Sequence, residues 1–282
     1  MMYHRITKDV QGDYDTTPAD FRAQLRRMFA SGYRPVRTID LARGTLPVAA
    51  GYTPVVLSFD DGYANQFQMS GSGEIDPECG VGILLQACSE FEHCPPAGSF
   101  NINRNPFGLT DPATQRAGLG RLHQLGFEIA NHTFDHDDLA DLNAGGVQQD
   151  MVRLQRLVRA AVPSAQVATL ALPFGISPRS RALARSGSYD GETYRNEGVL
   201  LVGANPSPSP FGRDFDAGAI PRIRSMSADG GRLPLTAKYW LDVLEAHPER
   251  RYISAGNPGH VTVPRAQRHA VARAWAGKVV TY

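Results

Sequence analysis

The run Val55-Val56-Leu57-Ser58-Phe59, followed at once by Asp60-Asp61-Gly62, decides how the rest of the sequence is read. Five residues, mostly apolar and partly β-branched, suit a buried strand, and the abrupt change to two carboxylates and a glycine marks its end. Two other places repeat the pattern. Residues 127–130 (FEIA) run into Asn131-His132-Thr133-Phe134-Asp135-His136, and residues 167–172 run into Pro173-Phe174-Gly175. Between such runs lie amphipathic stretches. One opens with Thr17 as N-cap and Pro18, carries Phe21, Leu25, Met28 and Phe29 on one face, and stops at Gly32; another spaces Val147, Met151, Leu154, Val158 and Ala161 before Pro163. This alternation predicts an α/β fold of parallel strands, in which the loops after the strands converge on one face. The three polar strand ends are therefore expected to meet.

Further strands are expected at 33–36, 98–102, 199–202, 220–223 and 251–254, with helices over about 79–91 and 236–247. The Gly-rich stretch 68–80 reads as a surface insertion near the mouth of the fold. Neither a repeat nor a linker interrupts the chain, so one domain is expected over 1–282, with residues 256–282 as a C-terminal extension.

The 282 residues carry 29 Lys+Arg against 28 Asp+Glu, a net charge of +1, and 42% are hydrophobic. That balance supports a large core and argues against a nucleic-acid partner or a polybasic membrane-surface protein. No run approaches the ~18 apolar residues of a membrane span, and the opening MMYHRITKDVQGDYD lacks the apolar core of an export signal. The expected location is the cell envelope or the outside if an export segment precedes Met1, and the cytoplasm otherwise. Cys79, Cys88 and Cys94 are odd in number, and their spacings of nine and six do not pair as zinc ligands. They are expected as buried thiols.

His132 and His136 are four apart, so on a helical turn both imidazoles project to one side and can share a cation. A carboxylate added to that pair gives a His-His-Asp set with one position open, the coordination of a catalytic zinc site. Adjacent carboxylates at a strand end cannot both point the same way, which leaves one for metal and one as a base. Read alone, Asp60-Asp61-Gly62 suits a β-turn or a helix N-cap as well.

Together, SFDDGY (58–63), NHTFDH (131–136) and LPFG (172–175) resemble the ordered motifs of the polysaccharide deacetylases, the NodB-homology or carbohydrate esterase family 4 group. The resemblance covers residues 2 to about 254. It implies a deformed (β/α) barrel of about seven parallel strands, with Asp60 as catalytic base and Asp61, His132 and His136 as ligands to a divalent metal, zinc first, with cobalt or nickel as alternatives. Two positions depart from the family pattern. Ala171 stands where common members carry the arginine that orients the base, and RYISAGNP (251–258) lacks the late histidine that serves as acid; His260 comes too far on. MMYHRI (1–6) is similar to the opening strand of circularly permuted members such as those acting on poly-N-acetylglucosamine, which makes His4 the acid. Arg222, in IPRIR, is a candidate positive partner for Asp60.

The expected function is metal-dependent removal of N-acetyl, or O-acetyl, groups from an amino-sugar polysaccharide or oligosaccharide, releasing acetate. Within it the resemblance assigns the backbone N–H of Phe174 to the oxyanion. An inactive carbohydrate-binding envelope protein with the same barrel, or a metal amidohydrolase for a small molecule, are the alternatives.

Overall fold

A computed structural model gives residues 1–227 and 235–282. Six parallel strands form one curled sheet in simple chain order: β1 (Met2–Tyr3), β2 (Ser58–Asp61), β3 (Ser99–Ile102), β4 (Glu128–Asn131), β5 (Thr169–Ala171) and β6 (Gly198–Leu200). Residues 220–224 close the curl. Ile220 bridges Leu200 on β6 and Arg224 bridges Met2 on β1, both parallel. The Met2 N–H donates to Ile223 O at 2.7 Å, and the Leu201 N–H to Ile220 O at 2.9 Å. The result is the deformed barrel expected, with IPRIR in the seventh position.

The helices are α1 (Pro18–Ala30), α2 (Thr38–Arg43), α3 (Gly80–Ser89), α4 (Pro112–Gln124), α5 (Ala144–Ala161), α6 (Ala182–Arg185) and α7 (Ala237–Ala246). Thr17 caps α1 by accepting from the Asp20 N–H, and Pro18 fixes the first turn. The face so presented, Phe21, Leu25, Met28 and Phe29, packs into the core with Tyr3, Phe59 and Phe100. Phe59 and Phe100 stack at 4.7 Å between β2 and β3. Each such ring is fully buried and contributes about 2–3 kcal/mol, enough to fix strand register next to the site.

Several elements differ from the sequence reading. Residues 55–59 divide between two strands. Thr53–Val56 pairs with Tyr33–Val36 in a separate two-stranded ribbon, and the barrel strand begins at Ser58 after the buried Leu57. Residues 251–254 are irregular, tied to the loop at 51–52 by Ser254 N–H to Tyr52 O at 2.8 Å and Gly51 N–H to Ser254 O at 3.0 Å. An antiparallel hairpin, Ser186–Tyr189 with Glu192–Arg195, was not expected. Its turn residues Asp190 (φ 49°) and Gly191 (φ 77°) are the two left-handed positions that an Asp-Gly hairpin requires. Residues 256–282 fold back, pairing Val261–Val263 with Val279–Thr281 and setting Trp275 against Phe211 at 4.9 Å. The insertion is a tight reversal in which the Ser70 N–H donates to Glu74 O at 2.8 Å. All three cysteines are buried free thiols. Among the described residues no helix is long and apolar enough to cross a membrane.

Candidate active site

Asp60 and Asp61 end β2 at the rim of the barrel. Asp60 is buried, whereas Asp61 takes the left-handed backbone (φ 73°) and is partly exposed. That conformation is costly for a non-glycine residue, and it splits the neighbouring carboxylates into different surroundings.

The histidines come from the loop after β4, and the loop is not helical, contrary to the sequence expectation. Thr133 (φ 63°) and His136 (φ 59°) are both left-handed, so the chain doubles back and the imidazoles converge from a reversal. Side chains hold this path. Asn131 Oδ1 accepts the Thr133 N–H at 2.8 Å, Thr133 Oγ1 accepts the His136 N–H at 3.0 Å, and Asp150 Oδ1 on α5 accepts the N–H groups of Phe134 and Asp135, each at 2.9 Å. The ring centroids of His132 and His136 are 4.8 Å apart.

Asp61 Oδ1 lies 3.2 Å from Nε2 of His132 and 3.2 Å from Nε2 of His136. All three donor atoms lie within 4.8 Å of one another, the one such group among the described residues. Two bonds of about 2.0–2.1 Å meeting at a tetrahedral angle separate their donor atoms by about 3.3 Å, so both Asp–His edges have the span that a divalent ion such as zinc demands. His132 is further prepared: Nδ1 is 2.9 Å from Ala171 O, so that nitrogen carries the proton and Nε2 offers a lone pair. Burial opposes charge on Asp61, but the two imidazoles of His132 and His136 against it outweigh burial and hold the carboxyl well below the usual range. The residues present fit a divalent metal.

Asp60 is gripped from another direction. Arg222 reaches in from the closing segment with Nη1 2.7 Å from Oδ1 and Nη2 2.8 Å from Oδ2, while Asn101 Nδ2 on β3 donates to Oδ1 at 2.7 Å. Arg222 Nε donates to Leu201 O at 2.7 Å, which fixes the fork. Burial would push the Asp60 carboxyl up, yet the Arg222 charge and then His132 hold it far below the ordinary range. Oδ2 is left facing the histidines, 4.0 Å from Nε2 of His4 and 4.0 Å from Nε2 of His132.

His4 follows β1 directly, at the strand end beside Asp60. Its ring lies against Tyr14 at 4.7 Å, and its buried Nδ1 has no hydrogen-bond partner. Burial lowers its pKa, opposed by the charge of Asp60. Phe174 is left-handed (φ 57°) and 61% exposed, with its ring 4.9 Å from that of His136. Tyr63 and Ile176 are also exposed. Six sequence-derived residues, His4, Asp60, Asp61, His132, His136 and Phe174, are thus brought together. His260 is not part of this group; it lies on an exposed turn in the extension. Asn101 was missed, and only its place in an apolar run signalled it.

A family model for polysaccharide deacetylases matches residues 49–190. The curated chitooligosaccharide deacetylase of Sinorhizobium fredii is 29% identical over 141 residues, 50% of this chain and 56% of the relative, so the chain spans about half the length of that protein. Among solved structures, the deacetylase PplD of Streptococcus pyogenes, in complex with acetate, superposes with a TM-score of 0.60 at 17% identity, covering 86% of this chain and 95% of that one. IcaB from Ammonifex degensii gives a TM-score of 0.54 at 15% identity, covering 84% and 94%. At these identities the structural likeness establishes the fold. His4 and Arg222 lie outside the residues matched by the family model.

Proposed function

The chain belongs to the polysaccharide deacetylase family, and from that premise we propose that it removes N-acetyl groups from an amino-sugar polysaccharide or oligosaccharide, releasing acetate. One observation carries the reading: Asp61, His132 and His136 converge within metal-ligand reach beside a second carboxylate, Asp60, held ionised by Arg222.

An amide resists attack because its nitrogen lone pair is delocalised. Hydrolysis needs a stronger nucleophile, stabilisation of charge on oxygen and a proton for the departing nitrogen. A divalent ion held by Asp61, His132 and His136, zinc first for two imidazoles and a carboxylate, would supply Lewis acidity, making water more acidic and polarising the acetyl oxygen. Asp60 is the base. Its Oδ1 accepts from both Asn101 and Arg222, whereas Oδ2 accepts from Arg222 alone and keeps a lone pair towards the histidines, so the proton of the attacking water goes to Oδ2. His4, with Nε2 4.0 Å from Oδ2, delivers a proton to the amine. Its buried ring resists holding that proton at rest, and the nearby Asp60 charge favours it. The main-chain N–H of Phe174 is the donor to the developing oxyanion, a role that leaves its side chain free to be phenylalanine. The exposed rings of Phe174 and Tyr63 offer sugar a surface to stack on.

Acetate release from chitin oligomers, poly-N-acetylglucosamine and peptidoglycan fragments, run side by side with and without chelator, tests this. Turnover of one of them is expected, abolished by chelation and restored by zinc. Failure on all three, or turnover indifferent to chelator, overturns it.

A further inference from the structure

Cys88 is in the last turn of α3, and Cys94 lies in the loop that leads towards β3. Their sulfurs are 3.2 Å apart, closer than non-bonded sulfurs usually pack, and both residues are buried. A disulfide needs about 2.05 Å, so an approach of roughly 1.2 Å would join them. Cys79 caps the opposite end of the same helix, nine residues away and about 13 Å along the axis, too far to compete. Nothing beside the pair suggests metal, since among the described residues the one three-ligand group is at Asp61.

The loop is also held in place. Arg34 donates from Nε to Glu92 O at 2.9 Å and from Nη1 to Phe29 O at 2.9 Å, and its guanidinium lies 4.0 Å over the Tyr52 ring. The backbone carrying Cys94 is thereby fixed against the ribbon at Tyr33–Val36 while α3 fixes Cys88.

We propose that Cys88 and Cys94 form a redox-modifiable pair, oxidised to an intramolecular disulfide by a small-molecule disulfide of the glutathione class. The Cys94 thiolate, favoured by the Cys88 S–H and the Arg34 charge, attacks one sulfur of the small disulfide; a mixed disulfide forms and one small thiolate leaves. The Cys88 thiolate then attacks the Cys94 sulfur, the second small thiolate departs, and the protein S–S bond is complete. Two electrons have passed to the small disulfide, and the two cysteine protons end on the released thiols. Because the thiols are buried, exchange proceeds through local opening and is slow. The bond would fasten the end of α3 to the lead-in of β3, the strand that carries Asn101 to Asp60.

The folded chain is incubated with oxidised glutathione, alkylated and weighed intact, then cut after glutamate. Glu90 and Glu92 separate the two cysteines, so a disulfide leaves their peptides joined. The expected result is a loss of two hydrogens, joined peptides that persist in Cys79→Ser, and a melting temperature about 5 °C above that of the reduced protein, a shift absent from Cys88→Ala. Two freely alkylated thiols at 88 and 94, a glutathione adduct that never resolves, or a cross-link through Cys79 overturns the proposal.

Discussion

Asp60 and Asp61 share one strand end and divide between two kinds of chemistry. Asp60 is enclosed by Arg222 and Asn101, while Asp61 opens towards two imidazoles. Asp61→Ala or His132→Ala should therefore lose bound metal and activity together, measured by metal analysis after dialysis. Asp60→Asn keeps the shape and the ligands, so full metal occupancy is expected with turnover reduced about 10²–10⁴-fold. Arg222→Met leaves a buried carboxylate without its counter-charge and should cost about 3–5 kcal/mol in urea unfolding. In the double variant Asp60→Asn, Arg222→Met much of that loss should return. The carboxylates and histidines could be read from the sequence because they end apolar runs. Asn101 could not, because an amide inside SFNI signals only a polar interruption until Asp60 is known to lie across from it in register.

Among elements, the loop between β1 and α1 governs the setting of His4. The Thr16 N–H donates to Arg5 O and the Thr7 N–H to Thr16 O, both at 2.9 Å, which pinches the loop shut, and Tyr14 within it touches the His4 ring. Asp15 is its anchor, accepting from Arg5 Nε at 2.7 Å, Arg5 Nη2 at 2.6 Å and the N–H groups of Gln11 and Gly12. Burial would raise the Asp15 carboxyl, but Arg5 and those backbone groups carry it below its ordinary value. A folded pKa below the unfolded one stabilises the fold above about pH 4 and loses that stabilisation as pH falls through the folded value. Hydrogen-exchange protection of residues 7–16, taken against the intrinsic rate at each pH, should fall on acidification below about pH 4. In Asp15→Asn that protection should already be low at neutral pH and respond little to acid. The His132–His136 loop shows where spacing misleads. A spacing of four suits a helical turn, yet Thr133 and His136 take left-handed backbone under side chains from Asn131 and Asp150, contacts that no local pattern reveals.

At the scale of the whole molecule, the barrel depends on one segment of weak sequence signal. Residues 220–224 carry two arginines and a proline, yet they join β6 to β1 and deliver Arg222 to Asp60. Gly203 makes that approach possible: a Cβ there would stand 2.8 Å from Arg222 O and 2.9 Å from Arg222 N. Gly203→Ala should push the closing segment outward and lower kcat at least about tenfold, while metal occupancy stays at the wild-type level. Turnover unchanged in this variant would mean that the segment has slack. The barrel class was legible because alternating apolar runs and amphipathic helices leave few ways to bury both. The strand at 220–223 was legible too, but its place between β6 and β1 was not, since that rests on two single-residue bridges.

The ion pair between Arg222 and Asp60 spans 162 positions of chain. Asp61, His132 and His136 all leave the ribosome well before that arginine, so translation delivers the whole three-residue cluster ahead of the counter-charge that the neighbouring Asp60 needs once it is buried.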